Sequence, residues 1–318
     1  MITGIYFSGK VRTGILFKRI ERVPGAPSNG DNMNVQRIAA FSYQNKGGNP
    51  AGVVICKNMP TDIEMLRVAR DVGYSETAFL HPEHDCWRIR YFAPEIEVPF
   101  CGHATIATGA ELGRRFGEGT YTLQLNAGRI RVSVSKIDSA AFQAALQSPN
   151  TWSKSAPEEY VRSLLAHFNF SLDDIDPRFP VRIASAGALH LIVVLREHAK
   201  LTQMAYAYEP VKDLMREKEL TTINLVYVDS DQTIYARNPF PPGGVYEDPA
   251  TGAAAAALAG YLRDIQWQGK QRFEIFQGKE MGMPSRLLVE YTDGKGESVK
   301  VSGETRDIQN PEHQRPIP

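Results

Sequence analysis

Arg90-Tyr-Phe-Ala-Pro-Glu-Ile-Glu-Val-Pro-Phe-Cys-Gly-His-Ala-Thr-Ile-Ala-Thr-Gly-Ala-Glu-Leu112 decides the fold, because the chain carries a second stretch of the same build. That stretch is Arg237-Asn-Pro-Phe-Pro-Pro-Gly-Gly-Val-Tyr-Glu-Asp-Pro-Ala-Thr-Gly-Ala-Ala-Ala-Ala-Ala-Leu258. Laid over one another, Ala104, Thr105, Ala107, Ala110 and Leu112 match Ala250, Thr251, Ala253, Ala256 and Leu258. Each stretch reads as a strand, a Pro/Gly turn carrying one polar group, and an Ala-rich helix. A helix apolar on nearly every side needs enclosure. Two such units predict an α+β fold with internal duplication, its two lobes facing each other across a cleft.

Outward from the first stretch, Val35 to Phe41 alternates like a strand, and Gly47-Gly-Asn-Pro-Ala-Gly52 reads as a turn into a strand at Val53 to Cys56. Thr61 with Glu64 makes a capping box for a helix ending near Gly73. Strands are predicted at Thr77 to Leu80 and Trp87 to Phe92, and a hairpin over Gly119 to Ser135. In the second half, Val181 to Leu195 reads as strand, Gly turn, strand, with helices at Glu158 to His167 and Val211 to Leu220. Further strands are predicted at Asn224 to Val228, Thr233 to Arg237, Phe273 to Gln277, Ser285 to Tyr291 and Ser298 to Val301. The first lobe is expected over residues 33–140 and the second over 141–318, with the C-terminal tail able to return to the first lobe. Residues 1–32 carry Lys10, Arg12, Lys18, Arg19 and Arg22 ahead of a Pro/Gly/Ser-rich segment, and read as a leader outside the fold.

At 318 residues, 42% hydrophobic and 23% charged, the chain has room for one large or two medium domains. Its charges cancel and no Lys/Arg run is interleaved with aromatics, which argues against nucleic acid as a partner. No apolar stretch reaches the ~18 residues of a membrane span. Cys56, Cys86 and Cys101 form no C-x-x-C pair and are odd in number, as expected of a reducing compartment. A cytoplasmic location follows, with mitochondrial import through the basic leader as the alternative. No pattern for a nucleotide cofactor opens a helix. His81, His84, Asp85 and Cys86 match metal ligands only in composition, so neither cofactor nor metal is expected.

The segments Gly48-Asn-Pro-Ala-Gly-Val-Val54, Ser75-Glu-Thr-Ala-Phe-Leu80, Tyr91-Phe-Ala-Pro94, Glu97-Val-Pro-Phe-Cys-Gly-His-Ala-Thr105, Glu247-Asp-Pro-Ala-Thr-Gly252 and Gln277-Gly278 together resemble the PhzF-like isomerase family. That family is named for phenazine biosynthesis and is grouped with diaminopimelate epimerase and proline racemase. The resemblance runs from about Val35 to Val301. It implies a diaminopimelate epimerase-like fold, two barrel-like lobes each wrapped around its apolar helix, with the active site between them. A homodimer is compatible with it.

Glu76 lies between Tyr74 and Phe79, where desolvation raises a carboxyl pKa and lets the group take and return a proton. The resemblance implies the same acid/base role. It also implies that His103 and Asp248, in the two recurring turns, point into the cleft and hold or protonate substrate; the competing reading of Asp248 is a helix cap. Backbone N–H groups over Gly102, Ala104 and Thr105, and over Thr251, Gly252 and Ala253, form two helix starts suited to a carboxylate. Asn49 is a further candidate for lining the cleft, against a plain turn former. Two positions depart from the family pattern: Ala253 where Ser is frequent, and Met283 where Arg is frequent. Cys101 invites a two-thiol epimerase or racemase reading, but the second lobe has no partner cysteine, so it reads as a small packed hydrophobe. His190 reads as a strand histidine with a satisfied ring. The expected activity is a cofactor-independent, one-base isomerisation of a small carboxylic acid. A binding or scaffold protein that has lost turnover is the alternative.

Overall fold

Runs of β-branched and aromatic residues build the first part of the chain: β1 (Gln36–Ser42), β2 (Asn49–Ile55), α1 (Asp62–Val72), β3 (Thr77–Glu83), β4 (Cys86–Phe92), β5 (Glu97–Val98), α2 (Gly102–Phe116), β6 (Gly119–Gln124), β7 (Arg129–Lys136) and β8 (Phe142–Gln147). The second part holds β9 (Trp152–Ser155), α3 (Glu158–Ala166), β10 (Arg182–Ser185), β11 (Leu189–Val194), α4 (His198–Thr202), α5 (Tyr208–Glu217), β12 (Thr222–Val228), β13 (Thr233–Pro239), β14 (Glu247–Asp248), α6 (Gly252–Asp264), β15 (Arg272–Gln277), β16 (Ser285–Glu290) and β17 (Lys300–Asp307). This computed structural model describes residues 33–126, 128–137 and 141–309. The leader reading for 1–32 lies outside them, as does residue 140 at the expected lobe boundary.

Hydrogen bonds run from β1 through β2, β3, β4, β6 and β7 to β8. β17 then pairs with both β8 and β1, closing these strands into a ring. In the second series β9 pairs with β10, and the ladder continues through β11, β12, β13 and β15 to β16. The two series share a pattern. β2–β3 and β11–β12 are parallel pairs joined through helices, and β4–β6 and β13–β15 are parallel pairs that bracket α2 and α6. β8, which falls within the expected second lobe of 141–318, pairs with β7 across the expected 140/141 boundary and with β17.

α2 is buried from Gly102 through Gly113 and α6 nearly throughout. Both approach their walls through glycine. A Cβ on Gly109 would lie 2.7 Å from Val132 Cγ2 and 3.1 Å from Ala144 Cβ, and one on Gly260 would lie 2.5 Å from Thr151 Cβ. On the outer faces, α1 covers Val54, Phe79 and Phe92, while α3, α4 and α5 cover Ile183, Leu191, Val193, Ile223 and Leu225. Strands covered on both faces need near-continuous apolar runs, which is why β11 reads Leu-His-Leu-Ile-Val-Val, with His190 its one polar residue. Among the described residues, no helix is long and apolar enough to cross a membrane.

The turn predicted over 47–52 lies earlier in the chain than expected. Only Tyr43 to Gly48 turns, and Asn49 to Gly52 already pair with β1. Pro50 is tolerated because the ladder between β2 and β3 begins at Gly52, so its missing N–H is not needed. Gly47, at φ 56°, lies against the segment before β16, and a Cβ there would sit 2.2 Å from Pro284 O. α1 starts as predicted: Glu64 N donates to Thr61 Oγ1, and Glu64 Oε2 accepts from Thr61 N at 2.8 Å.

Candidate active site

Four segments distant in sequence supply one cluster. β2 presents Asn49 from its first residue, and Ser75 and Glu76 stand immediately before β3. The start of α2 carries Cys101 and His103, and Asp248 ends β14 just before α6. β14 is anchored by a buried ion pair in which Arg237 Nε donates to Glu247 Oε1 at 2.9 Å, while Arg237 Nη1 donates to the Thr202 carbonyl at 3.1 Å. A guanidinium out of water needs those acceptors, and they fix the residue next to Asp248.

Glu76 Oε2 lies 3.3 Å from His103 Nε2. The same nitrogen is 3.4 Å from Ser75 Oγ, and the other ring nitrogen is 3.4 Å from Cys101 Sγ. Asp248 receives hydrogen bonds on both oxygens, from Asn49 Nδ2 at 2.8 Å and from Thr251 Oγ1 at 2.5 Å. Asn49 Nδ2 also donates to the Ala250 carbonyl at 3.0 Å, tying β2 to the start of α6. Gln277 Nε2 donates to the Asp248 carbonyl at 2.6 Å, and Gln277 Oε1 accepts from Thr251 N at 3.2 Å.

Burial dominates the electrostatics. Desolvation raises Glu76 above the ordinary carboxylate value, and hydrogen bonds from Ser75 and Cys101 only partly oppose it. Burial likewise pushes Asp248 up to about 6, against the pull of His103, Thr251 and Asn49. His103 is lowered by desolvation, with Asp248 opposing, which favours the neutral ring. The Cys101 thiol is held well above its usual value by burial and by Glu76, so at neutral pH it is an inert SH.

The structure brings Glu76, His103 and Asp248 together with Asn49. Asp248 does not cap α6: the N-cap is Thr251, and neither it nor Cys101, the N-cap of α2, makes a side-chain cap bond. The two helix starts meet, a Cβ on Gly102 falling 3.5 Å from Ala253 N and one on Gly252 falling 4.0 Å from Gly102 Cα. Their free amides are fewer than expected. Thr105 N donates to the Cys101 carbonyl as the first helical bond, its hydroxyl is engaged by Cys101 O and Tyr91 OH, and Thr251 N is taken by Gln277. The amides outside the helical ladder are those of Gly102 to Ala104 and Gly252 to Ala254.

Gln277 and Ser75 were legible only as motif letters, since nothing in their local spacing says that each touches a predicted site residue. Cys101 is buried as predicted, but beside an imidazole rather than in purely apolar surroundings. His190 is fully buried with Nδ1 2.8 Å from Thr222 Oγ1, while Nε2 has no hydrogen-bond partner among the described residues, where only half of its ring is satisfied. Burial lowers its pKa to about 3, keeping it neutral. A groove of about 910 Å³ beside the start of α2 is lined by Phe100, Leu146, Pro149 and Gly187 among others; Glu76, His103 and Asp248 lie outside its lining.

Comparison with known proteins bears on this arrangement. The family model described as phenazine biosynthesis-like protein matches residues 38–308. An uncharacterised isomerase of Mesorhizobium japonicum is 32% identical, covering 83% of this chain and 92% of its own length. The trans-2,3-dihydro-3-hydroxyanthranilate isomerase of Pseudomonas aeruginosa is also 32% identical, covering 84% and 94%. Among solved structures, a PhzF-family phenazine biosynthesis protein of Bacillus anthracis superposes with a TM-score of 0.77 at 23% identity, over 87% of this chain and 97% of that one.

Proposed function

The chain belongs to the phenazine biosynthesis-like protein family, and from that premise we propose that it is a cofactor-independent isomerase of a small carboxylic acid, acting by one-base proton transfer through Glu76. The observation that carries the reading is the convergence of Glu76, His103 and Asp248 from three remote segments, with both carboxyl pKa values raised by burial. A carboxylate made more basic in this way is suited to take a proton from substrate carbon and, once neutral, to return it to another carbon of the same molecule. Neutral His103 and the readily protonated Asp248 flank it and hydrogen-bond the polar end of the substrate. The amides of Gly102 and His103 and of Gly252 to Ala254, outside the helical ladder at the positive ends of two helices, hold a carboxylate without a lysine or arginine. We take the two strand series as copies of one unit, each wrapped around its helix, with the substrate between the helix starts.

Two-thiol stereoinversion is disfavoured because all three cysteines precede residue 102. A binding protein without turnover remains the second reading, on the ground that Ala253 supplies no hydroxyl at the α6 start. One experiment separates them. With a panel of small unsaturated and amino carboxylic acids in D2O, an isomerase places solvent deuterium on substrate carbon. Saturable binding without any deuterium incorporation would favour the binding protein.

A further inference from the structure

Val35 ahead of β1, Val54 on β2 and Phe79 on β3 pack under α1, so theirs is the outer face of the sheet, while Ala40 and Ala51 turn inward to the core around α2. Alternation along β1 puts Arg37 and Ala39 on the outer face. Arg37 stands opposite Gly52, Gly52 opposite Thr77, and Ala39 opposite Arg306 of β17. Side chains directly opposite lie about 4.5–5.5 Å apart and diagonal ones about 7–8 Å, within reach of an arginine. Ala39, Gly48 and Gly52 keep the floor between them low, and a Cβ on Gly52 would meet Thr77 Oγ1 at 2.7 Å. Tyr74, two residues beyond the end of α1, joins them: its hydroxyl feels both guanidiniums, whose charge opposes the rise in its pKa caused by burial. Among the described residues neither arginine forms an ion pair. Arg37 Nε is buried without a hydrogen-bond partner, and the hydrogen bond of Arg306 runs from Nε to the Gly47 carbonyl at 2.9 Å. Glu304, two residues earlier on the same face of β17, pairs with neither. The hydroxyls of Tyr74 and Thr77 are unpartnered as well, on side chains 9% and 0% exposed. Two positive charges and two orphaned O–H donors thus converge with no acceptor between them.

The geometry points to a binding site for a small free oxyanion of the phosphate or sulfate class on this outer face, held by the guanidiniums of Arg37 and Arg306 and the hydroxyls of Tyr74 and Thr77. A planar guanidinium fork matches such oxygens two at a time, and O–H donors complete the cradle. The site is distinct from the cluster around Glu76, because Asn49 stands opposite Ala40 on the inner face. Full burial of Thr77 leaves room for a compact ion rather than for an ester of a larger molecule. Tyr74 and Thr77 bracket Ser75 and Glu76, so the bound ion braces from behind the segment that carries the proposed base, a consequence that rests on the isomerase reading above. No local pattern in the sequence marks the site, since its four side chains come from β1, β3, β17 and the loop after α1.

The test is thermal unfolding of the full-length protein titrated with inorganic phosphate, then sulfate, in a zwitterionic buffer with chloride holding ionic strength constant. The expected result is a Tm that rises with oxyanion concentration along a single-site curve, with no such rise from chloride. Arg37→Gln and Arg306→Gln each weaken phosphate binding by at least ~10-fold, and Tyr74→Phe, which removes only a hydroxyl, by at least ~3-fold. Phenyl phosphate binds more weakly than the free ion. Tyr74→Phe decides the question if an arginine variant fails to fold. No saturable rise, or one undiminished in these variants, as for phosphate held by the amides of the two helix starts, overturns the site. Equal affinity for phenyl phosphate overturns the free ion as its occupant. Stabilisation without deuterium exchange removes the isomerase reading and leaves this site standing, and exchange without stabilisation does the reverse.

Discussion

Asp248 accepts hydrogen bonds on both oxygens, yet its carboxyl is pushed up to about 6, so burial outweighs its donors. The folded pKa lies above the unfolded value of ~4, so between the two the native state binds more protons. Its contribution to stability is therefore present at low pH and falls as pH rises from about 4 to about 6, by up to ~3 kcal/mol. Asp248→Asn removes that loss and keeps a bond to Asn49, while its amide can donate to Thr251 Oγ1. Relative to wild type, the variant should gain stability as pH rises through this window and hold a constant difference above it. Urea unfolding at pH 4, 5, 6 and 7 measures this; a difference independent of pH would show that Asp248 is not buried as a charge. For catalysis, Glu76→Gln should lower deuterium exchange by at least ~10³-fold with folding intact, and Cys101→Ala by no more than ~10-fold. Equal losses would mean the base is misassigned. Glu76, His103 and Asp248 were legible because their motifs are specific in combination. Asn49, read as part of a turn, lies in a strand, since its place depends on pairing with β1 and its hydrogen bond on Asp248, far along the chain.

The helices were the most legible elements, and their glycines show why they sit where they do. In α2, Gly109 and Gly113 face Val132, Val134, Ala144 and Phe142, so helix and strands meet almost backbone to side chain. Alanine in place of Gly109 gains ~1 kcal/mol of helix propensity, but its Cβ would come within 2.7 Å of Val132 Cγ2, whose residue is fully buried. Overpacking of this kind costs about 1–3 kcal/mol, so Gly109→Ala should be net destabilising by chemical denaturation. A net gain would mean that the wall of β7 and β8 yields to the helix. Other elements were hidden for physical reasons. β8 reads Phe-Gln-Ala-Ala-Leu-Gln, with alanines too small to mark a strong inward face. α5 begins at Tyr208, before Pro210, because a proline in the first turn forfeits no helical bond. β17 continues to Asp307 through polar residues that a short apolar window cannot register.

At the scale of the molecule, the ring of strands against which α2 packs is closed by β17, the last described strand. β17 pairs with β1 and β8, Gly303 packs on Phe41, and Arg114 bridges buried Glu111 on α2 to Asp307. Local patterning predicts each strand but not this closure, because the partners lie at opposite ends of the sequence. Without β17, β1 and β8 would present unpaired edges and α2 would lose part of its cover. Val301 is fully exposed to that core and not to solvent. Val301→Asp places a charge there without a counter-ion, a change expected to cost at least ~3 kcal/mol. If the ring is one cooperative unit, native-state hydrogen exchange in this variant should accelerate together in β17, β1 and β8, despite their separation in sequence. Loss of protection confined to β17 would show instead that the strand frays from a wall that stands without it, and that the first part of the chain holds α2 and its site residues by itself.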